Sequence, residues 1–535
     1  MKIQVSNWSF TQKQDENMLK QACTHLRGVQ LTAPRSLEIV KESVDKRKGV
    51  KYVYTLHIDF NENISIDDLK NKNKGIYFKE LDQNHSSDPA QYLADHKDSF
   101  QDKTVNVIGS GPAGMFAALS LIEVGFNVNL IERGEAIPER HKKVKQLFKE
   151  GILDEASNIC FGEGGAGTFS DGKLTTRKNH PWIRWVLSKF VEFGGPESIL
   201  SAGKPHIGSD RLRALTIFFR KYLIERGVKV YFGHCIEEIH HDQDHITQLI
   251  SKHKNFKQND AIVWATGHSS RDSYKLLKSI DVPIEPKPFA VGVRIEHKQD
   301  WVNDWKHKQK KLDEAADYSV VCNLDDQHSV YSFCMCPGGQ IVCSSSHDGY
   351  HVVNGMSNYA RNSEFANSGL VAKVSTDDFN SNDPLAGLEY QENIERKAYE
   401  AVGNNYQAPA QTAKDFLNRS KSASLLPSSY EPNLVPANFW EILPESICEN
   451  LQEALLQFED KYPGFAGEYV QLIGTETRTS APCRIPRNKN GVSERFENFY
   501  PCGEGAGYAG GIMSAALDGL HIANCIKEKF ACLKK

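Results

Sequence analysis

The apolar pattern divides the chain into stretches of different character. Lys2–Phe10, "KIQVSNWSF", alternates weakly and predicts a strand, whereas "DENMLKQACTHLRGV" brings Leu19, Ala22, Cys23 and Leu26 onto one helical face. "RSLEIVKESVDKRKGVKYVYTLHIDF" predicts a helix or strand, a basic turn and a firm strand over 50–60. Residues 1–100 therefore read as a small α+β domain, a docking or stability module with nearly cancelling charges. The polar stretch 82–103 reads as a linker. At Thr104 the pattern changes: "TVNVIGSGPAGMFAALSLIEVGFNVNLIERG" is an apolar strand, a glycine turn, an Ala/Leu helix and a second apolar strand ending at Glu132. "GVKVYFGHCIEEI" and "DAIVWATGHSS" bracket a hairpin tipped by "HHDQDH". Between 281 and 489, short alternating runs with turns at Asp325–Asp326, Pro337–Gly339 and His347–Gly349 predict an antiparallel sheet. Helical periodicity returns at 391–403 and 445–460.

Length and charge narrow the field. At 535 residues the chain exceeds what one core organises. With 25% charged residues and a net charge of −4, it lacks the basic excess of a nucleic-acid binder. No run approaches eighteen apolar residues, and the start lacks the charged-then-apolar layout of a leader. The 12 cysteines include one C-x-C, Cys334 and Cys336, and no C-x-x-C, which points away from disulfide, zinc and iron–sulfur frameworks. A cytoplasmic, reducing location is the expectation. His240, His241 and His245 read as a solvated turn, because no further ligand accompanies them.

Three segments share the spacing G-x-G-x-x-G, beginning at Gly109, Gly162 and Gly505. Only the first lies between a strand and a long helix with a second strand and an acid following, the arrangement of a dinucleotide-binding unit. There Gly109 permits the tight turn, Gly111 lets the backbone approach a pyrophosphate, and Gly114 lets the helix pack on the sheet. The helix start, formed by Ser110, Pro112 and Ala113, offers the free amides of its non-proline residues to the diphosphate. Glu132 is placed to accept ribose hydroxyls and to repel a 2′-phosphate. The second segment, "GEGGAGTFSDGKL", has no helix after it. It reads as a loop laid along a nucleotide held elsewhere, with Gly165, Ala166, Gly167, Thr168, Ser170, Gly172 and Lys173 as contacts.

"GEGGAGTFSDGKLTTR", "AVGVRIEH", "NGMSNYARNSEFANSG" and "TETRTSAPCRIPR" resemble the uncharacterised FAD-dependent dehydrogenases of the NAD(FAD)-utilising type, and the likeness runs along most of the chain. More broadly, the pieces resemble the glutathione-reductase-like FAD/NAD(P)-binding superfamily. The resemblance implies an α/β fold with a discontinuous, Rossmann-like FAD-binding domain (101–280 and 490–535). It also implies an inserted, mainly antiparallel α+β substrate domain (281–489) and the small N-terminal domain (1–100). FAD is the implied cofactor. Ala265, Thr266 and Gly267 would pass its adenosine end, and Arg133, Arg140 and Ile236 are further contacts. Gly503, Glu504, Gly511, Ile512 and Met513 would close the site, with Glu504 on the ribityl hydroxyls and the helix start beneath the flavin pyrimidine.

No second complete fingerprint exists for a nicotinamide cofactor. The implied reaction is hydride transfer between a small substrate and flavin N5, with transient NAD(P)H at the flavin face as the other source of reducing equivalents. Lys173, Arg294, His297 and Arg478 are the catalytic candidates. Asn354, Arg361, Thr479 and Arg484 are further side chains for the ring face. Arg478 and Arg484 would suit an anionic substrate, and His297 a proton shuttle. Cys334 and Cys336 read as small buried residues. An RNA-modifying flavoprotein and a flavin-bearing sensor are the other functional classes considered. Oligomeric state is left open.

Overall fold

A computed structural model describes residues 1–26, 33–45, 50–61, 64–81, 100–178, 180–307, 314–379 and 381–533. The basic turn expected near 46–49 and most of the expected linker, 82–99, lie outside the described residues. By contact the chain forms two units, Met1–Tyr92 with Asn179–His206, and Leu93–Lys178 with Ile207–Lys535.

The first unit is built on a four-stranded antiparallel sheet in the order Ser36–Asp45, Lys51–Asp59, Lys2–Phe10, Tyr77–Glu80. The stretch read as helix or strand after Arg35 is a strand, because Leu37 and Ile39 pair with Ile58 and Leu56. Helices Glu16–Thr24 and Ile66–Lys72 start at Asp15 and Ser65, whose side chains accept from the amides of Met18 and Asp68. Leu19, Cys23 and Leu69 join Ile3, Val5, Leu56 and Ile58 in one core. The helix Ile183–Glu192 belongs to this unit and not to the nucleotide segment 101–280 in which the sequence places it. Arg184 pairs with Glu38, and Ala202 forms a bridge with Glu42.

In the second unit a five-stranded sheet has the order Phe499–Pro501, Ala261–Trp264, Thr104–Ile108, Asn127–Ile131, Lys229–Tyr231, and every neighbouring pair is parallel. Its strands are short apolar runs, as parallel strands covered on both faces must be. The helix Pro112–Glu123 follows the central strand and crosses the terminal helix Ile512–Leu533 closely. A Cβ on Gly519 would stand 2.1 Å from the Ala113 carbonyl oxygen, so only glycine permits that approach. The antiparallel meander Ile236–Phe256 includes the expected hairpin with its turn at 243–244.

A seven-stranded sheet occupies most of 289–476, in the order Val321–Asn323, Ser329–Cys336, Phe365–Val374, Phe289–Lys298, Gln471–Glu476, Ala408–Thr412, Leu434–Pro436. Its pairs are antiparallel except the last. Val291, Val293, Ile295, Leu370 and Ala372 bury one face against the helix Glu445–Lys461, through Leu451, Leu455 and Phe458. Among the described residues, no helix is long and apolar enough to cross a membrane.

Candidate functional site

A cavity of about 400 Å³ opens where the parallel strands end, and Ile108, Ile131 and Trp264 are its floor. Ligands of open α/β sheets lie at this carboxyl edge. The first glycine turn is fixed by packing. Gly109 has φ +101°, and a Cβ there would meet the Ala265 carbonyl oxygen at 2.3 Å. A Cβ on Gly114 would stand 1.9 Å from the Gly109 carbonyl oxygen.

Gly111 and Gly510 are different. Both line the cavity, yet a Cβ on Gly111 would meet nothing nearer than the Gly165 Cα at 4.0 Å. One on Gly510 would meet no protein atom within 4 Å. Protein packing does not require glycine at these two positions, and open space lies in front of both. Both positions adjoin the start of a long helix, Pro112–Glu123 and Ile512–Leu533. Two sets of free amides and two positive helix ends therefore meet at one cavity, which suits a bridging anion such as a diphosphate.

Glu132 is buried at the end of its strand and binds four donors. Oε2 accepts from the Ser110 amide and hydroxyl, each at 2.8 Å, and Oε1 from the amides of Gly134 at 3.1 Å and Gly162 at 3.0 Å. One carboxylate thus locks the fingerprint turn to the second glycine loop. That loop, 158–165, is held from behind by Arg140, which has no solvent exposure. Its guanidinium donates to the carbonyls of Asn158, Ile159, Gly162, Glu163 and Gly165. Burial lowers its pKa to about 10.

Of the residues expected from the sequence, the fingerprint contributes Gly109, Gly111, Pro112, Ala113, Glu132 and Arg133 to the cavity wall. The second loop contributes Gly165, Ala166, Gly167, Ser170, Gly172 and Lys173. Ile236, Ala265, Thr266 and Gly267 come from the hairpin and the Ala-Thr-Gly turn, and Glu504, Gly511 and Ile512 from the closing segment. Arg478, Thr479 and Asn354 arrive from the large sheet and its loops.

Other expected residues stand behind the wall. Ser110 is turned onto Glu132, Thr168 onto the Glu163 carbonyl at 3.2 Å, and the Gly503 amide onto Asp518 at 2.8 Å. Met513 is buried in the terminal helix, Gly114 in the helix–strand contact and Arg140 under the loop.

The catalytic candidates are corrected more sharply. Arg294 does not reach the cavity; it is wholly buried and donates to Glu476 at 2.7 Å, Asn367 at 2.7 Å and Asn354 at 3.0 Å. His297 lies in the core of the large sheet, stacked on Trp301 and bonded to the Phe465 carbonyl at 3.0 Å. Burial lowers its pKa to about 4, which leaves a neutral structural ring. Arg478 lines the cavity but is committed to Glu395 at 2.8 Å and Ser346 at 2.6 Å, while Arg484 lies off the cavity wall. These arginines therefore do not form an anion clamp. Arg361 pairs with Asp171 at 2.7 Å, and Lys173 with the same carboxylate at 2.9 Å.

Among the polar groups on the wall that sequence reasoning missed are His268, Glu476, Cys160 and Asp171. His268 follows the Ala-Thr-Gly turn directly, and that position was the available signal. Its Nε2 is 3.2 Å from the Arg478 carbonyl oxygen, which only accepts, so Nε2 carries the proton. Its Nδ1 lies 3.5 Å from Glu504, whose pKa is raised by burial. The sequence predicts a buried C-x-C pair, yet Cys334 lines the cavity and, of the two, only Cys336 is buried.

Along its full length the chain is 38% identical, over 541 residues, to an uncharacterized protein of Clostridium beijerinckii, covering 99% of each. The chain belongs to that protein's family. Residues 288–479 match the family described as FAD-dependent protein, C-terminal domain-like, and FAD is the cofactor. Among solved structures, CtdE in complex with FAD aligns over 79% of this chain and 88% of its own at 11% identity, with a TM-score of 0.31. Glycerol-3-phosphate dehydrogenase from Bacillus halodurans, complexed with FAD, aligns over 83% and 67% at 9% identity, with a TM-score of 0.36.

Proposed function

We propose that the chain is a FAD-dependent oxidoreductase that takes hydride from a small organic substrate, and that the cavity at the parallel-sheet edge is its cofactor site. One observation carries this reading: two helix starts and the glycine-rich segments converge on a cavity whose glycines at 111 and 510 face space that no protein atom fills. FAD held there supplies a two-electron centre able to accept or donate a hydride.

The chain's own residues then have distinct tasks. The amides at the start of Pro112–Glu123 would hold the diphosphate of FAD. Ser110 Oγ is the one donor on Glu132 free to rotate away, and its departure opens an acceptor site for a ribose hydroxyl. The start of Ile512–Leu533 would offer partial positive charge to a bound flavin, which gains negative charge when reduced. Arg133, held by Asp272 at 2.8 Å and lying over Phe161, closes one wall. His268 holds its proton on Nε2 and presents Nδ1 to Glu504, so this pair, and not His297, is placed to take up a substrate proton. Lys173, Arg133 and Arg478 are each neutralised by a carboxylate, so the wall favours a substrate of little net charge.

Purified protein should be yellow and release FAD on denaturation. Anaerobic stopped-flow mixing with NADH, NADPH and a panel of hydroxy and amino acids tests the direction of reduction. Bleaching by a panel member of little net charge, such as a zwitterionic amino acid, is the expected result; bleaching by NADPH alone overturns direct substrate oxidation.

A further inference from the structure

The strand Ser329–Cys336 breaks register where it passes the cavity. Phe333 opposes Gly369, but the next pair is Cys336 with Asn367, which leaves one extra residue on the Cys334 side. Such a bulge re-aims side chains. Cys334 takes φ +45° there, in the left-handed region that non-glycine residues adopt only when the surrounding structure holds them in it. As a result its side chain reaches the cavity wall, while Cys336 remains buried directly behind.

Cations surround this bend. The Lys173 ammonium donates to the carbonyl of Met335, the residue between the two cysteines. Arg294 Nη1 approaches the Cys334 carbonyl at 3.4 Å. The facing acids are Asp171, paired with Lys173 and Arg361, Glu476, paired with Arg294, and Glu504, paired with His268.

The two sulfurs are unequal. The Cys336 thiol donates to the Cys334 carbonyl at 3.3 Å. The neighbouring Cys336 thiol, with Lys173 and Arg294, outweighs burial and holds the Cys334 thiol below the ordinary range, while Cys334 and burial push Cys336 above it. The sulfur at the cavity is therefore the more acidic of the two, with the other thiol behind it. Residues two apart on a regular strand have Cα atoms about 6.6 Å apart, already inside the range a disulfide spans.

We infer that Cys334 and Cys336 are a redox dithiol that closes to a disulfide with the cavity's FAD as electron acceptor. The inference rests on the reading of this cavity as the FAD site. On closure the Cys334 thiolate bonds to the Cys336 sulfur and the Cys336 S–H bond breaks. Two electrons and that one proton pass to the oxidised flavin, so charge and atoms balance. The reverse step opens the disulfide at the expense of reduced flavin.

The test is an anaerobic dithionite titration of air-oxidised holoenzyme, followed at 450 nm, with alkylation and peptide mass mapping of samples taken along it. The expected result is uptake of about four electrons per FAD, two for each of two two-electron couples, together with a bridged Cys334–Cys336 peptide that disappears during the titration. C334S and C336S should each take up about two electrons. The mass map of the wild type needs no variant, so a misfolded variant does not obscure the answer. Yellow protein that takes up two electrons, with both thiols free throughout, overturns this inference alone. Protein that binds no FAD overturns the cofactor reading and this inference with it.

Discussion

Arg294 donates from Nε to Glu476 across 2.7 Å, with side-chain exposures of 0% and 3%. The carboxylate faces the cavity and the guanidinium stands behind it, also supplying Asn354 and Asn367. Removing one member of a buried pair leaves the other charge uncompensated, at a cost of about 3–5 kcal/mol. Arg294→Met should therefore lower unfolding stability by that order in urea denaturation. Arg294→Lys should recover part of the loss, because it keeps the charge without the fork that reaches three partners.

The two glycines of the fingerprint turn should separate folding from cofactor binding. Gly109→Ala places a Cβ against the Ala265 carbonyl at φ +101°, so it should fail to accumulate as folded protein. Gly111→Ala meets no protein atom closer than 4.0 Å, and its φ of −70° suits alanine. It should unfold within about 0.5 kcal/mol of the wild type, as substitutions away from packed features do. Its FAD affinity should nevertheless fall about tenfold or more, read by quenching of flavin fluorescence. Unchanged affinity would remove Gly111 from the cofactor wall.

His297 and His351 give the protein an acid-side weakness. Burial lowers each to about 4 from the ordinary 6.5. Between those values the unfolded chain binds protons that the folded chain refuses. Their stabilising effect is full above about pH 6.5 and is lost as pH falls toward 4, at up to about 1.4 kcal/mol per pH unit for each ring. Urea midpoints measured at successive pH values should fall across that window. His297→Gln should flatten the slope there and leave the visible spectrum of bound FAD unchanged, because His297 packs on Trp301 and Phe465 away from the cavity.

Much of the nucleotide unit could be read from the sequence because each of its signals is local. The strand, turn, helix, strand and acid of 104–134 dictate one another over a few residues. The same kind of local reading could have corrected His297: in "AVGVRIEH" it falls on the same side of the strand as Val293 and Ile295, which are core residues, whereas Arg294 and Glu296 fall on the other side. Cys334 was illegible because no glycine or proline marks the bulge that turns it, and the register break depends on a partner strand some thirty residues on. Arg478 lines the cavity, but its commitment to Glu395 depends on the distant helix Ala386–Ala401. The membership of 183–192 in the first unit rests on contacts with 36–45, a pairing that periodicity does not encode.

Arg140 offers the strictest test of how the second glycine loop is held. One guanidinium satisfies five backbone carbonyls across 158–165, and Gly162 must lack a Cβ because that atom would lie 2.5 Å from Arg140 Cδ. A lysine has three donors on one nitrogen and cannot span the fan, so Arg140→Lys loses at least two of these five hydrogen bonds. At about 0.5–1.5 kcal/mol for each bond lost, the loss should reach about 1–3 kcal/mol. Because the loop carries Gly165, Ala166 and Gly167 into the cavity wall, FAD retention through gel filtration should fall together with the urea midpoint. Gly162→Ala should reproduce both effects from the opposite side of the contact. A variant at Arg140 that keeps its FAD and its midpoint would show that the loop holds its shape without the guanidinium.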